Sequence, residues 1–302
     1  MVRPKRALPR RTSTVGLPRV RSVRRVSGIW PQLFESGFAR IPAPVGKQVC
    51  NRLYRALDAY VEVARRRPDN SPVHEEARRW FERRPDWKFY RGAFAPYFKG
   101  ANADTHGTDR KQTFQLSEMY YRFLSEQRAE LFDGDEFRNL VDGAMAALYS
   151  VHAAIQPLVA ELNGPAPQLH RALSPVGALP PVSLRLLRYE HSDVLGIRPH
   201  VDKSGLTVIL DSDDPPDQPN LILGPLNAVE PVELSSFVPA LKGEKEALVF
   251  FGAGLPAAGF KQCAPLPHTV AAVKTAVRHS AVFHWFLPSL DTDAFETSVQ
   301  VI

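Results

Sequence analysis

Only two cysteines, Cys50 and Cys263, occur in 302 residues. That is too few for a disulfide framework and fits a reducing compartment. Long apolar runs are missing too, since no stretch approaches the 18 or so residues that would read as a membrane-crossing helix, and no internal repeat is visible. No acidic residue precedes Glu35, while Arg3, Lys5, Arg6, Arg10, Arg11, Arg19, Arg21, Arg24 and Arg25 all fall before Ser27. The 38 Lys and Arg less these nine leave 29 against 32 Asp and Glu, so the body carries about −3 although the whole chain is +6. With Pro4, Pro9 and Pro18, few apolar residues and charge of one sign, residues 1–28 are expected to be a disordered basic tail. Three roles stay open for it: a dispensable extension, an organellar targeting peptide (Arg- and Ser-bearing, acid-free), or an arm for nucleic acid or a membrane surface. Nucleic acid ranks last because no aromatics interleave the charges. The expected location is cytoplasmic, or organellar if the tail is a transit peptide.

What remains is ordinary in bulk. Hydrophobic residues make up 44% and charged residues 23%, as in globular proteins, and a chain of this length buries roughly three-quarters of its unfolded surface in one domain. The chemistry lies in a few polar residues of the C-terminal part. In Gly196-Ile197-Arg198-Pro199-His200-Val201-Asp202, the imidazole and the carboxylate are two positions apart. On a strand or at its end, such side chains share a face. A His-x-Asp pair occurs often by chance, so a third ligand is needed, and His268 in Pro267-His268-Thr269-Val270 is the best candidate. Two histidines and a carboxylate on one face of a metal leave the other face open, as suits non-haem Fe(II). Ten residues beyond, Arg278 and Ser280 open the run Ser280-Ala281-Val282-Phe283-His284-Trp285-Phe286-Leu287, which reads as a strand bounded by Pro288. An inward Arg on such a strand needs an anion, and its planar fork matches a carboxylate.

From Val182 to Pro288 the chain resembles the Fe(II)- and 2-oxoglutarate-dependent oxygenase superfamily, in particular the isopenicillin N synthase-like branch. The residues carrying the likeness are Leu186-Leu187-Arg188-Tyr189, Gly196 to Asp202, Gly205 to Leu210, Leu248-Val249-Phe250-Phe251-Gly252, Pro267 to Val270, and Arg278-His279-Ser280. The interval from Asp202 to His268, 66 residues, is somewhat long for that family; the excess is assigned to a surface turn over 211–219, rich in Asp and Pro. The resemblance implies a mainly β fold with flanking helices, a distorted double-stranded β-helix, or jelly roll, over 181–302. It implies that His200, Asp202 and His268 ligate iron, and that Arg278 and Ser280, with Tyr189 nearby, bind 2-oxoglutarate. The reaction implied is oxidation of a small-molecule C–H bond by dioxygen, most simply hydroxylation, with release of succinate and CO2. An Fe(II) oxidase of the same fold that does not use 2-oxoglutarate and a non-catalytic metal-binding jelly roll are the alternatives. Two departures, Gly252-Ala253 where Gly-Asp is frequent and Thr269 where Arg is frequent, bear on loop geometry only. A third, His284, faces inward by alternation. It is a candidate for substrate contact, or else a core histidine bonded to backbone.

The preceding part, 29–180, reads as a helical region packed on the barrel, one structural domain with it. Phe34 to Pro42 resembles the family's short N-terminal strand. Cys50, Leu53, Leu57, Tyr60, Val61 and Ala64 recur at helical spacing, as do apolar residues from Phe137 to Val159, stopped by Gly164 and Pro165. Residues 87–98 occupy the place of the family's pocket lid, where Arg91 and Tyr97 are candidates for substrate contact, with a surface role as the alternative. The expected partner is a small molecule, with no membrane, and the protein a monomer or weak homodimer.

Overall fold

The computed structural model describes residues 28–64, 71–84, 93, 98–99, 111–174, 180–214, 219–226 and 232–288. The basic tail and the lid candidates Arg91 and Tyr97 lie outside the described residues.

The chain begins with α1 (Ile29–Ser36), β1 (Phe38–Pro42), α2 (Lys47–Ala64) and α3 (Ser71–Glu82). Then come β2 (Phe98–Lys99), β3 (Lys111–Ser117), α4 (Glu118–Gln127), α5 (Asp135–Ala160) and α6 (Pro167–Leu173). The barrel follows as β4 (Val182–Glu190), β5 (Leu195–His200), β6 (Leu206–Ser212), β7 (Leu221–Leu223), β8 (Val238–Pro239) and β9 (Glu246–Phe251). A short α7 (Gly254–Ala257), β10 (His268–Ala272) and β11 (Val277–Trp285) complete it. The N-terminal strand is shorter than the sequence suggests: residues 34–36 finish α1, because Gly37 sits at φ 79° and its N–H closes the helix on the Leu33 carbonyl.

All pairings are antiparallel. A seven-stranded sheet runs β1-β9-β6-β11-β4-β3-β2, and a four-stranded sheet runs β5-β10-β7-β8. Together they form the distorted double-stranded β-helix. The larger sheet is apolar on one face and mixed on the other, by strict alternation. Ala281, Phe283 and Trp285 of β11, Leu184 and Leu186 of β4, and Val208 of β6 face outward into a core shared with α2 and α5. Leu187, Tyr189, Ile209, Phe250 and Val282 face inward, into a second core between the sheets with Leu221 and Val270. The residues of interest sit among these inward positions.

Within Asp135–Asn163, the segment containing α5, an 18-residue window reaches a mean hydropathy of 1.2, long and apolar enough by length and composition to cross a membrane. The expectation that no stretch approaches this is corrected here: it rested on unbroken apolar runs, and Ser150, His152 and Gln156 interrupt this one. Its apolar stripe packs on α2, β3 and β4. Cys50 and Cys263 are both free and buried. Burial, first, pushes each thiol up to about 12, which suits the structural role.

Candidate metal centre and its cavity

His200 ends β5 and His268 begins β10, and the register places them directly opposite each other. Side chains in such cross-strand pairs touch, and the two imidazole centroids are 4.3 Å apart. Asp202 follows β5 by two residues and turns the same way. His200 Nε2 lies 3.8 Å from Asp202 Oδ1, and His268 Nε2 lies 3.6 Å from Oδ2. All three donor groups fall within 4.8 Å of one another, an arrangement able to hold a metal ion.

Their surroundings fix which atoms are offered. His200 Nδ1 is 2.9 Å from the Arg198 carbonyl and His268 Nδ1 is 3.1 Å from the Leu266 carbonyl. A carbonyl only accepts, so both rings are protonated at Nδ1 and point a lone pair from Nε2 at the shared centre. Asp202 Oδ2 accepts a 2.7 Å hydrogen bond from Thr207, which also meets Ser204. Burial, then the neighbouring His268, push His200 down to about 3. Burial alone would raise Asp202, but His268, His284, His200 and Arg185 around it hold the carboxyl well below its usual range. A neutral imidazole at His200 and an ionised carboxylate are what a divalent cation requires.

The backbone beneath Asp202 is clasped by the turn after β9. Gly252 N–H donates to the Gly205 carbonyl at 3.1 Å, Ala253 N–H to Asp202 at 2.7 Å, and Gly254 N–H to Ser204 at 3.0 Å. A methyl group at Gly252 would overlap the Ser204 carbonyl oxygen. Thr269, beside the distal histidine, ties β10 to β5 through the Ile197 carbonyl.

One cavity of about 50 Å³ collects nearly every candidate: His200, Asp202, His268, Tyr189, Arg278, Ser280 and His284 all line it. Arg278, 2% exposed, has met its anion within the protein. Its Nε and Nη2 donate to Asp214 Oδ1 and Oδ2 at 2.6 and 2.8 Å, and Asp214 is 3% exposed. Nη1 has no partner. Burial works against the guanidinium charge and the Asp214 hydrogen bonds more than restore it, raising Arg278 above its ordinary value. Tyr189 lies under this guanidinium at 5.1 Å, and the Ser280 hydroxyl donates to the Asp211 carbonyl at 3.2 Å. The expected surface turn over 211–219 is thus corrected at its start. Asp211 and Ser212 extend β6, Asp211 is bound by Lys47 and Tyr54, and Asp214 is buried because it neutralises Arg278. Asp214 also lines a second cavity of about 460 Å³, walled by Lys47, Asp211, Lys242 and Glu244.

His284 is inward and 2% exposed, with Nδ1 3.4 Å from Thr207 and, among the described residues, Nε2 unpartnered. No backbone group bonds it, so the core-histidine alternative does not describe its partners. His279, on the other face, bonds Asp213 and Asp58 at 2.7 and 3.0 Å and stacks on Tyr54. Two lining residues escaped the sequence reading, Arg185 and Leu221. The signal for Arg185 was present, because alternation back from Tyr189 through Leu187 reaches it.

No family model matches the chain, and no curated protein does. The fold is shared with the dioxygenase for auxin oxidation 1 from Arabidopsis thaliana in a 2-oxoglutarate binary complex, at 14% identity and TM-score 0.53 over 90% of each chain. It is shared with a full-length Neurospora crassa protein solved in complex with α-ketoglutarate, at 13% and 0.52 over 89% of this chain and 84% of that one. JOX2 in complex with 2OG, Fe and JA is similar too, at 15% and 0.52 over 85% and 70%.

Proposed function

We propose that this protein is a non-haem Fe(II)- and 2-oxoglutarate-dependent oxygenase that hydroxylates a C–H bond of a small molecule. The observation that carries this reading is the triad with both Nε2 lone pairs and one carboxylate preset on a common centre, in the same cavity as Arg278 and Ser280. Its fold neighbours solved with 2-oxoglutarate or α-ketoglutarate support it. Iron held by the triad would supply the redox chemistry by which dioxygen is divided, one oxygen atom entering succinate as CO2 leaves and the other entering substrate.

The chain's own residues do the rest. His200, Asp202 and His268 are the residues that would hold the ion, as two histidines and a carboxylate suit Fe(II). Thr207 holds the Asp202 carboxylate, so the metal is met by one orientation of it. Arg278 presents Nη1 to the far carboxylate of 2-oxoglutarate, with Ser280 beside it and Tyr189 as the floor. Leu187, Ile209, Val270 and Val282 wall the cavity with apolar side chains.

The oxidase reading keeps one observation in its favour: the fork of Arg278 is already half taken by Asp214. Anaerobic titration separates the two. The Fe(II) protein is expected to bind 2-oxoglutarate with the visible charge-transfer band of a keto-acid chelate and, in air, to release succinate slowly. His200→Ala, Asp202→Ala and His268→Ala should each abolish iron binding, and Arg278→Lys should weaken 2-oxoglutarate by roughly 10- to 100-fold, as one charge-assisted hydrogen bond of about 1.5–3 kcal/mol is lost. Iron binding with no response to 2-oxoglutarate would transfer the site to the oxidase reading.

A further inference from the structure

Resting on the oxygenase reading, we propose that Arg185 receives a carboxylate of the substrate, which makes the substrate a small organic acid. Arg185 lines the metal cavity from β4. Among the described residues its guanidinium makes one hydrogen bond, from Nε to the neutral Gln115 Oε1 at 2.9 Å, and no ion pair. Gln115 is itself held from behind, donating to Ser183 at 3.1 Å. The side chain is therefore gripped at Nε and offers its terminal nitrogens. A half-buried cation that lines the cavity without a counter-ion is the group a ligand anion would meet there. Asp202 is near, but its charge belongs to the metal and its Oδ2 to Thr207.

Register decides which ligand. Tyr189 on β4 stands opposite Arg278 on β11 and Lys111 on β3, whereas Arg185 stands opposite Val282 and Gln115. Four residues of strand separate the two levels, roughly 13 Å at 3.3 Å per residue. A five-carbon diacid chelating a metal cannot reach both. The Arg278 level takes the cosubstrate, and the Arg185 level, beside the metal ligands and Thr207, is left for the substrate. His284 stands one inward step beyond Val282, opposite Thr207 and Ser183, and its buried Nε2 is unpartnered and available to a second polar atom of the same ligand. The donor fork of an arginine matches the two oxygens of a carboxylate.

The test is calorimetric titration of the anaerobic Fe(II)–2-oxoglutarate protein with acetate, benzoate and phenylacetate and with their primary amides. At least one acid should bind tenfold or more tightly than its amide. Arg185→Gln should erase that preference while the charge-transfer titration of 2-oxoglutarate stays within twofold, and Arg185→Lys should keep part of the preference. Equal binding of acids and amides, binding of neither, or a preference that survives Arg185→Gln overturns the proposal. So does a tenfold loss of 2-oxoglutarate affinity in Arg185→Gln, which would make Arg185 the cosubstrate anchor. If circular dichroism shows Arg185→Gln unfolded, the acid-to-amide ratio in the intact protein and in Arg185→Lys decides. If 2-oxoglutarate fails to bind but acids bind the Fe(II) protein through Arg185, the oxygenase reading falls and the carboxylate site stands.

Discussion

Asp214 grips one edge of Arg278 and leaves Nη1 open, so the anchor at that level is a neutral pair with a donor to spare. Removing the carboxylate would restore a full positive charge inside a water-poor cavity. Asp214→Asn should therefore bind 2-oxoglutarate and succinate about tenfold more tightly each, the change that 1.4 kcal/mol makes, and product inhibition by succinate should deepen in parallel. The unliganded variant should also unfold more easily, by about 3–5 kcal/mol, because breaking a buried pair strands its partner; denaturant titration with and without 2-oxoglutarate measures both effects. Residues at this scale were legible in the sequence wherever strand alternation applies. It places Arg278, Ser280 and His284 inward on β11, and carried along β4 it reaches Arg185 as well. Asp214 was illegible, because it meets Arg278 across 64 residues from within a segment whose Asp and Pro content has the composition of a surface turn.

The turn that follows β9 grips the 202–205 backbone through three N–H donors, so the position of one metal ligand depends on a neighbouring element. Gly252 is needed there for proximity, since no φ constraint applies and a side chain would strike the Ser204 carbonyl. Gly252→Ala should lower iron affinity by about 10- to 100-fold, the range seen when groups supporting a ligand are lost, with His200 and His268 still in place. Equilibrium metal titration reads this, and an unchanged affinity would separate the clasp from the site. In the sequence Gly252-Ala253 registers only as a departure from Gly-Asp. Which backbone it would lie against is a tertiary fact. The helices were more legible, since periodicity marks α2 and α5 from their apolar stripes, while the end of α1 escaped it because Gly37 acts through a backbone angle and not through a pattern.

The fold as a whole was legible through the family resemblance that the order of its motifs carries, whereas the register that sets His268 opposite His200 is a tertiary fact. Sheet membership was less so, since β1 and β3 join the larger sheet from the region read as mainly helical. That membership divides the site. His200 and His268 belong to the smaller sheet, while Arg185, Arg278, Ser280 and His284 belong to the larger, and the cavity of about 50 Å³ between them has the volume of only one or two water molecules. A ligand chelated at one end and anchored at the other is consequently a strut between two walls, and any such ligand must first part them. Metal alone should raise the melting temperature modestly. Metal with 2-oxoglutarate at a hundred times its Kd should add about 2.7 kcal/mol, about 4 °C for a chain of this size, and 2-oxoglutarate without metal almost nothing. The two ligands would then be read by thermal denaturation as a single mechanical event, the bracing of one sheet against the other.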